Sequence, residues 1–336
     1  MKSSAFELEE ERLKVEIIKR GAKRVLLQLP EGLKLQGARL ASLVEEAGAL
    51  AIVAADPCYG ACDLAIDEAE ALGADLLVHF GHSPMSKELG RIPVIHVEAK
   101  TELSTKKALE KALPLLASWK CIGLVTTVQH VDMLGEAKNT LLKSGKVVSV
   151  GDSGHLKYAG QIIGCDYSNA MAIRKDVAAF VFVGGGRFHA VGVELATSKP
   201  TVVADPYEQR AYSVDAEAQR IRKQRWASIQ KAIQSKHFGV LIGLRTGQQR
   251  VEIALRIRGT LTKAGKQTTL LAVRELTPDS LMEFPSIDAY VNTACQRISL
   301  DDAAKFQKPV LTVKEALVVA GELKWEQLLK KGWFED

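Results

Sequence analysis

The stretch KRVLLQLPEGLKLQGARLASLVEEAGALAIVAADP, residues 23–57, decides the fold. A Val- and Leu-rich run without polar alternation leads through a helical pattern, LQGARLASLVEEAG, to a second such run, AIVAADP. Short continuous apolar runs joined by helices mark strands buried on both faces of a parallel sheet. The same order returns twice. CIGLVTTV, MLGEAKNTLLKSG and KVVSVGDS follow from Cys121, then GVLIGL, VEIALRIRGTLTKAG and QTTLLAV from Gly239. Each helix closes on a glycine, Gly48, Gly145 or Gly265, where a left-handed cap stops it before the next strand.

The back half of each unit matches too. A third strand reads at DLLVHFGHS, AFVFVGGGRF and DAYVNTACQR, and a fourth follows Pro93, Pro200 or Pro309. The expectation is an α/β protein of three similar domains around a central site. Each is a small, mainly parallel four-stranded sheet with flanking helices. Divisions near Ser118 and Lys236 give domains over 1–118, 119–236 and 237–336; a single large doubly wound sheet is the competing topology. Ligands of such sheets bind at the carboxyl ends of strands, so three domains around an axis would bring three such ends together.

Composition agrees with a multidomain globular chain. It has 336 residues, 47% hydrophobic and 25% charged. A net charge of +5, spread over 45 basic and 40 acidic residues, does not indicate nucleic-acid binding. No apolar run reaches the roughly 18 residues of a membrane span, and MKSSAFELEEERLKVEIIKRG has no apolar core, so a cytoplasmic protein with no membrane partner is expected. Five cysteines, an odd number, argue against a disulfide framework in that setting.

Cys58 and Cys62 lie four residues apart after the second strand, in CYGACD. They read as half of a metal pair, a redox couple, or one ligand and a bystander. The internal repeat separates them. YGACD of the first unit matches IIGCD of the second, pairing Cys62 with Cys165, and Asp63 and Asp166 are each suited to cap the helix that follows. In the third unit Cys295 stands instead after the third strand, in NTACQRIS. Cys121 opens a strand and reads as core. Cysteines so dispersed also fit plain core packing. Three thiolates on one iron–sulfur cubane would leave one iron open to substrate.

VGGGRFH, Gly184 to His189, suits a close ligand approach or a tight turn. IGLRTGQQR places Gln248 and Gln249 beyond a strand end, and Arg297 follows Cys295 closely. An arginine fork is suited to clamp a carboxylate, and equally to an ion pair. His79, His82 and His96 read as structural histidines. Trp325, Trp333 and Phe334 read as a tail packed on another surface, across a dimer or within the chain.

Taken together, YGACD, IIGCDYSNA, VGGGRFHAVG and NTACQRIS, after the opening RVLLQLPEGLK, resemble the diphthamide-synthesis radical enzymes, and within them the archaeal type. The likeness runs from about Phe6 to the C-terminal tail. It implies three similar α/β domains, a homodimer, and a [4Fe-4S] cluster held by Cys62, Cys165 and Cys295, with Cys58 left over. The usual radical signature Cys-x3-Cys-x2-Cys is absent, since Leu64 and Ala65 stand beyond Cys62. The resemblance implies cleavage of S-adenosylmethionine between sulfur and Cγ. Methylthioadenosine leaves, and a 3-amino-3-carboxypropyl radical adds to a histidine of translation elongation factor 2, with an electron donor serving the cluster. Arg297, Gln249 and His189 are then expected to grip the methionine carboxylate and amine, while Gly184, Gly185 and Gly186 admit the adenosyl part. A dehydratase of the quinolinate synthase kind and a non-catalytic partner subunit are the alternatives.

Overall fold

Three separate sheets, each with the same strand order, form the frame of the protein in the computed structural model, which describes residues 6–85 and 91–334. The first contains β1 (Arg24–Gln28), β2 (Leu50–Val53), β3 (Leu76–Phe80) and β4 (Val94–Val97) in the order β2-β1-β3-β4. The second contains β5 (Cys121–Thr126), β6 (Val147–Ser149), β7 (Ala179–Val183), β8 (Thr201–Asp205) and β9 (Arg210–Ser213), ordered β6-β5-β7-β8-β9. The third contains β10 (His237–Gly243), β11 (Gln267–Val273), β12 (Ala289–Asn292) and β13 (Val310–Leu311), ordered β11-β10-β12-β13. All pairings are parallel except β8 with β9. The single-sheet topology is thereby excluded. The middle sheet departs from the expected four strands by its fifth, the antiparallel RAYS, whose outer residues are exposed.

The apolar strands are buried on both faces, as their lack of alternation requires. In the first sheet Leu26 and Leu77 pack to one side with Ile66 and Ala69, while Leu27 and Val78 pack to the other with Leu40 and Val44. Leu124 and Val181 oppose Val125 and Phe180 in the second, and Leu241 and Tyr290 oppose Val240 and Val291 in the third. Each such side chain, fully buried, contributes about 1.5–3 kcal/mol. The closing glycines have the left-handed backbone their position demands, with φ of 87° at Gly48, 81° at Gly145 and 77° at Gly265.

The helix Lys106–Ala112 lies on the second sheet, where Leu109 and Ala112 join Leu124 and Val181. The helix Asp215–Ile233 ties the second unit to the third. Its Arg225, with no exposed surface, pairs with Glu315 (Nε to Oε1, 2.8 Å) and donates to the Ser299 and Val310 carbonyls. Trp333 Nε1 donates to the same carboxylate at 2.8 Å, and Phe334 packs on Tyr167 with ring centroids 4.5 Å apart. The C-terminal aromatics therefore pack within the chain. Among the described residues no helix is long and apolar enough to cross a membrane.

Candidate metal centre and cosubstrate cavity

The strand order 2-1-3-4 reverses direction between the first and third strands, which opens a crevice at their carboxyl ends. In this protein the three crevices meet. Gly81 and His82 after β3, Thr127 and Gln129 after β5, Gly243 at the end of β10 and Ala294 after β12 all line one cavity of about 530 Å³. Cys62, Cys165 and Cys295 line it as well, one from each unit. All five cysteines are free thiols.

Local structure fixes each of the three. The third unit clamps the Cys62 loop: Gly247 N–H donates to the Cys62 carbonyl (2.8 Å), Thr246 Oγ1 to the Leu64 carbonyl (3.2 Å), and Gln248 Nε2 lies 3.4 Å from the Cys62 sulfur. A Cβ on Gly247 would stand 2.6 Å from Cys62 Cα, so this close approach requires glycine. Asp63 does not cap the following helix as its position suggested. Its carboxylate pairs instead with Arg245, because two further residues, Leu64 and Ala65, separate it from the helix Ile66–Ala71. Asp166 does serve the next helix, accepting from Ser168 N–H at 2.8 Å. Cys295 precedes the helix Gln296–Asp301 and is held by Asn292, which donates to its carbonyl (2.7 Å) and accepts from Ala294 N–H (2.9 Å).

The donor set suits a cationic metal group. Burial pushes the Cys165 thiol up to about 12, and the charges of Cys62 and Cys295 push the same way. Burial likewise raises Cys62, reinforced by Cys295 and Asp63 against the Gln248 amide. Cys295 is raised by burial against the backbone N–H groups of Arg297 and Ile298. Three thiols whose ionisation burial suppresses become three thiolates when a centre rich in positive charge joins them, which is what an iron–sulfur cluster provides.

Arg297 lines the cavity and is 5% exposed. Its guanidinium carbon lies 3.8 Å from the Phe188 ring centroid, Nη2 donates to the Phe188 carbonyl (2.9 Å), and Nε lies 2.7 Å from Asp301 Oδ2. Nη1 is buried with no hydrogen-bond partner among the described residues. A buried donor left open in this way is a place for a ligand acceptor. His189 lines the cavity too, its pKa held down to about 3 by burial and then by the Arg297 charge, so it stays neutral.

Gln249 and the three glycines lie elsewhere. Gln249 Nε2 donates to the Leu244 carbonyl, and it is the preceding Gln248 that lines the cavity. Gly184, Gly185 and Gly186 are not on the cavity wall. They turn β7 into the helix Phe188–Thr197, with φ of 76° at Gly186, and a side chain on Gly185 would meet the Tyr207 ring at 3.0 Å. Cys58, left aside by the repeat, is buried with His79 and His82, their ligating atoms within 4.8 Å of one another. Burial pushes its thiol up to about 12. Gln248, Phe188, His82 and Gln129 are cavity residues that the sequence did not single out for this site.

Residues 29–329 match the family described as diphthamide synthesis protein. The chain belongs to the diphthamide synthesis family. Its relatives there include the 2-(3-amino-3-carboxypropyl)histidine synthase of Pyrococcus horikoshii, 37% identical over 314 residues, or 92% of this chain and 90% of that one. Subunit 1 of the human synthase is 33% identical over 311 residues, 91% of this chain and 70% of that one. The crystal structure of Dph2 from Pyrococcus horikoshii with a 4Fe-4S cluster superposes with a TM-score of 0.88, at 35% identity, over 98% of this chain and 94% of that one. This member of the diphthamide synthesis family is thus an enzyme of the Dph2 type.

Proposed function

We propose that this enzyme is a 2-(3-amino-3-carboxypropyl)histidine synthase, transferring the 3-amino-3-carboxypropyl group of S-adenosylmethionine to a histidine of translation elongation factor 2. One observation carries the reading: Cys62, Cys165 and Cys295, each from a different unit, line one cavity with a buried arginine whose Nη1 has no hydrogen-bond partner among the described residues. Cys62, Cys165 and Cys295 would hold a [4Fe-4S] cluster, which supplies an electron and an open iron for the sulfonium. The chain's own residues do the rest.

Arg297 receives the methionine carboxylate through Nη1, while Phe188 and Asp301 hold the guanidinium plane. Fixing that end decides which carbon on sulfur faces the thiol wall, and so which S–C bond breaks. Neutral His189 accepts from the methionine ammonium without repelling it. Gln248, through its bond to the Cys62 sulfur, takes the place that Gln249 was expected to fill. An electron donor, a homodimeric assembly and a cytoplasmic setting complete the proposal.

The test is anaerobic. The reduced, cluster-loaded protein should release methylthioadenosine from S-adenosylmethionine and label elongation factor 2. Absence of methylthioadenosine, with turnover of a small hydroxy acid instead, would favour the dehydratase reading.

A further inference from the structure

One wall of the cavity carries a chain of side chains whose proton positions are fixed by the backbone. Gln28, buried on β1, donates from Nε2 to the Asp63 carbonyl at 2.6 Å, and its Oε1 accepts from Ala65 N–H at 3.1 Å. A backbone acceptor at one end and a backbone donor at the other leave a single orientation of the amide. Oε1 also lies 2.8 Å from Nδ1 of His79, so that nitrogen bears the proton. His79 Nε2 is then a bare acceptor. It faces Nδ1 of His82 at 3.0 Å, which has to donate.

Neither ring is charged. Burial, then the neighbouring His82 and His96, holds His79 well below its ordinary range, and burial holds His82 down to about 4 against the pull of the Phe80 carbonyl. A neutral imidazole has one N–H. In His82 it is spent on Nδ1, which leaves Nε2 as an acceptor on a side chain that lines the cavity.

We infer that Gln28 and His79 are positioning residues that hold His82 in its Nδ1–H form, and that His82 Nε2 accepts a hydrogen bond from the N–H of the imidazole that enters as substrate. The inference rests on the function proposed above. The strand-end residues around His82 on the cavity wall, Gly81, Ser83, Thr127 and Gln129, are uncharged. An uncharged acceptor flanked by these uncharged residues suits a neutral N–H donor. The substrate ring has one N–H when neutral. Donating it to His82 fixes that ring's tautomer and holds in place the carbon flanked by both nitrogens.

The test uses full-length, cluster-loaded, oxidised protein with 15N-labelled histidine. Long-range spectra should show Nδ1 protonated and Nε2 bare in both His79 and His82. Elongation factor 2 should shift the His82 Nε2 resonance towards the hydrogen-bonded range, and the same factor with its target histidine replaced by phenylalanine should not. Gln28→Leu should turn the His79 and His82 signals into tautomer mixtures. His82→Phe should raise KM for the factor about tenfold, the loss of one hydrogen bond, with a smaller change in kcat.

A protonated His82 Nε2, or equal shifts with both factors, would overturn the inference. So would stoichiometric Zn²⁺ binding that Cys58→Ala abolishes, because His79 Nε2 and His82 Nδ1 would then be metal ligands. If instead no methylthioadenosine forms while the tautomers stand as described, the proposed reaction fails and the proton chain does not.

Discussion

Arg245 Nη1 lies 2.6 Å from both carboxylate oxygens of Asp63, which joins the residue after Cys62 to the first loop of the third unit. The position of Cys62 is therefore set by a domain that does not contain it. Arg245→Ala leaves a mostly buried carboxylate unpaired, at a cost of about 3 kcal/mol. Urea denaturation should show a loss of that order, and iron per chain should fall with it. Wild-type iron content in a destabilised variant would separate the clamp from the cysteine.

Gly247 tests the same contact by shape. Its missing Cβ makes room for Cys62 Cα, and no flexible side-chain end stands there to yield. Gly247→Ala should displace the Cys62 loop, so that the folded protein retains its circular dichroism and loses most of its cluster absorbance. Full iron loading in this variant would show that the approach is looser than the structure has it.

The cysteines divide two ways. Cys62→Ala, Cys165→Ala and Cys295→Ala should each remove most of the iron and the cluster's paramagnetic resonance on reduction. Cys58→Ala should keep both. Cys58 faces His79 and His82 in the buried part of the same unit, so its removal leaves a small cavity worth about 1–2 kcal/mol and no missing ligand. Equal iron losses at Cys58 and Cys62 would refute the assignment.

Much of this was legible because it depends on local pattern. Strands buried on both faces announce themselves as unbroken apolar runs, and the glycine caps mark each helix end, so the repeat could be read three times over. Strand ends then located all three cysteines. What escaped depended on rotation and distance. Gln248 and Gln249 are adjacent, and only the tight turn over Thr246–Gln248 decides which side chain faces the cavity. VGGGRF suggests a ligand cradle, but the ring beside Gly185 is that of Tyr207, beyond the next strand. β9 is four residues with arginine and serine at its exposed ends, too short and polar to register as a strand. His82 drew a structural reading because its partner His79 is itself fixed by Gln28, which comes from a different strand.

Arg297 should behave as a carboxylate clamp. Nη2 donates to the Phe188 carbonyl and to Asp301, Nε lies against Asp301 in the ion pair, and Nη1 has no hydrogen-bond partner among the described residues. Arg297→Ala should raise KM for S-adenosylmethionine by about ten- to a hundredfold, the worth of one charge-assisted hydrogen bond, and leave the cluster spectrum in place. Arg297→Lys should not rescue it, since a single ammonium cannot keep both anchors and reach the ligand. An unchanged KM would remove Arg297 from the site.

Glu194 gives the protein a pH dependence away from the cavity. It is 1% exposed in the helix Phe188–Thr197, and burial, with the Asp215 charge adding, pushes its pKa from the ordinary 4.5 to about 7 against Arg222 and the Thr201 N–H. The folded value exceeds the unfolded one, so this contribution to stability is complete below pH 4.5 and is lost as pH rises through 7. The full loss is roughly 3 kcal/mol. Glu194→Gln carries no titrating proton at that position. Urea midpoints taken at about pH 5 and about pH 8.5 should therefore fall more in the wild type than in Glu194→Gln. Equal falls in the two proteins would show that Glu194 remains ionised in the fold, compensated by Arg222.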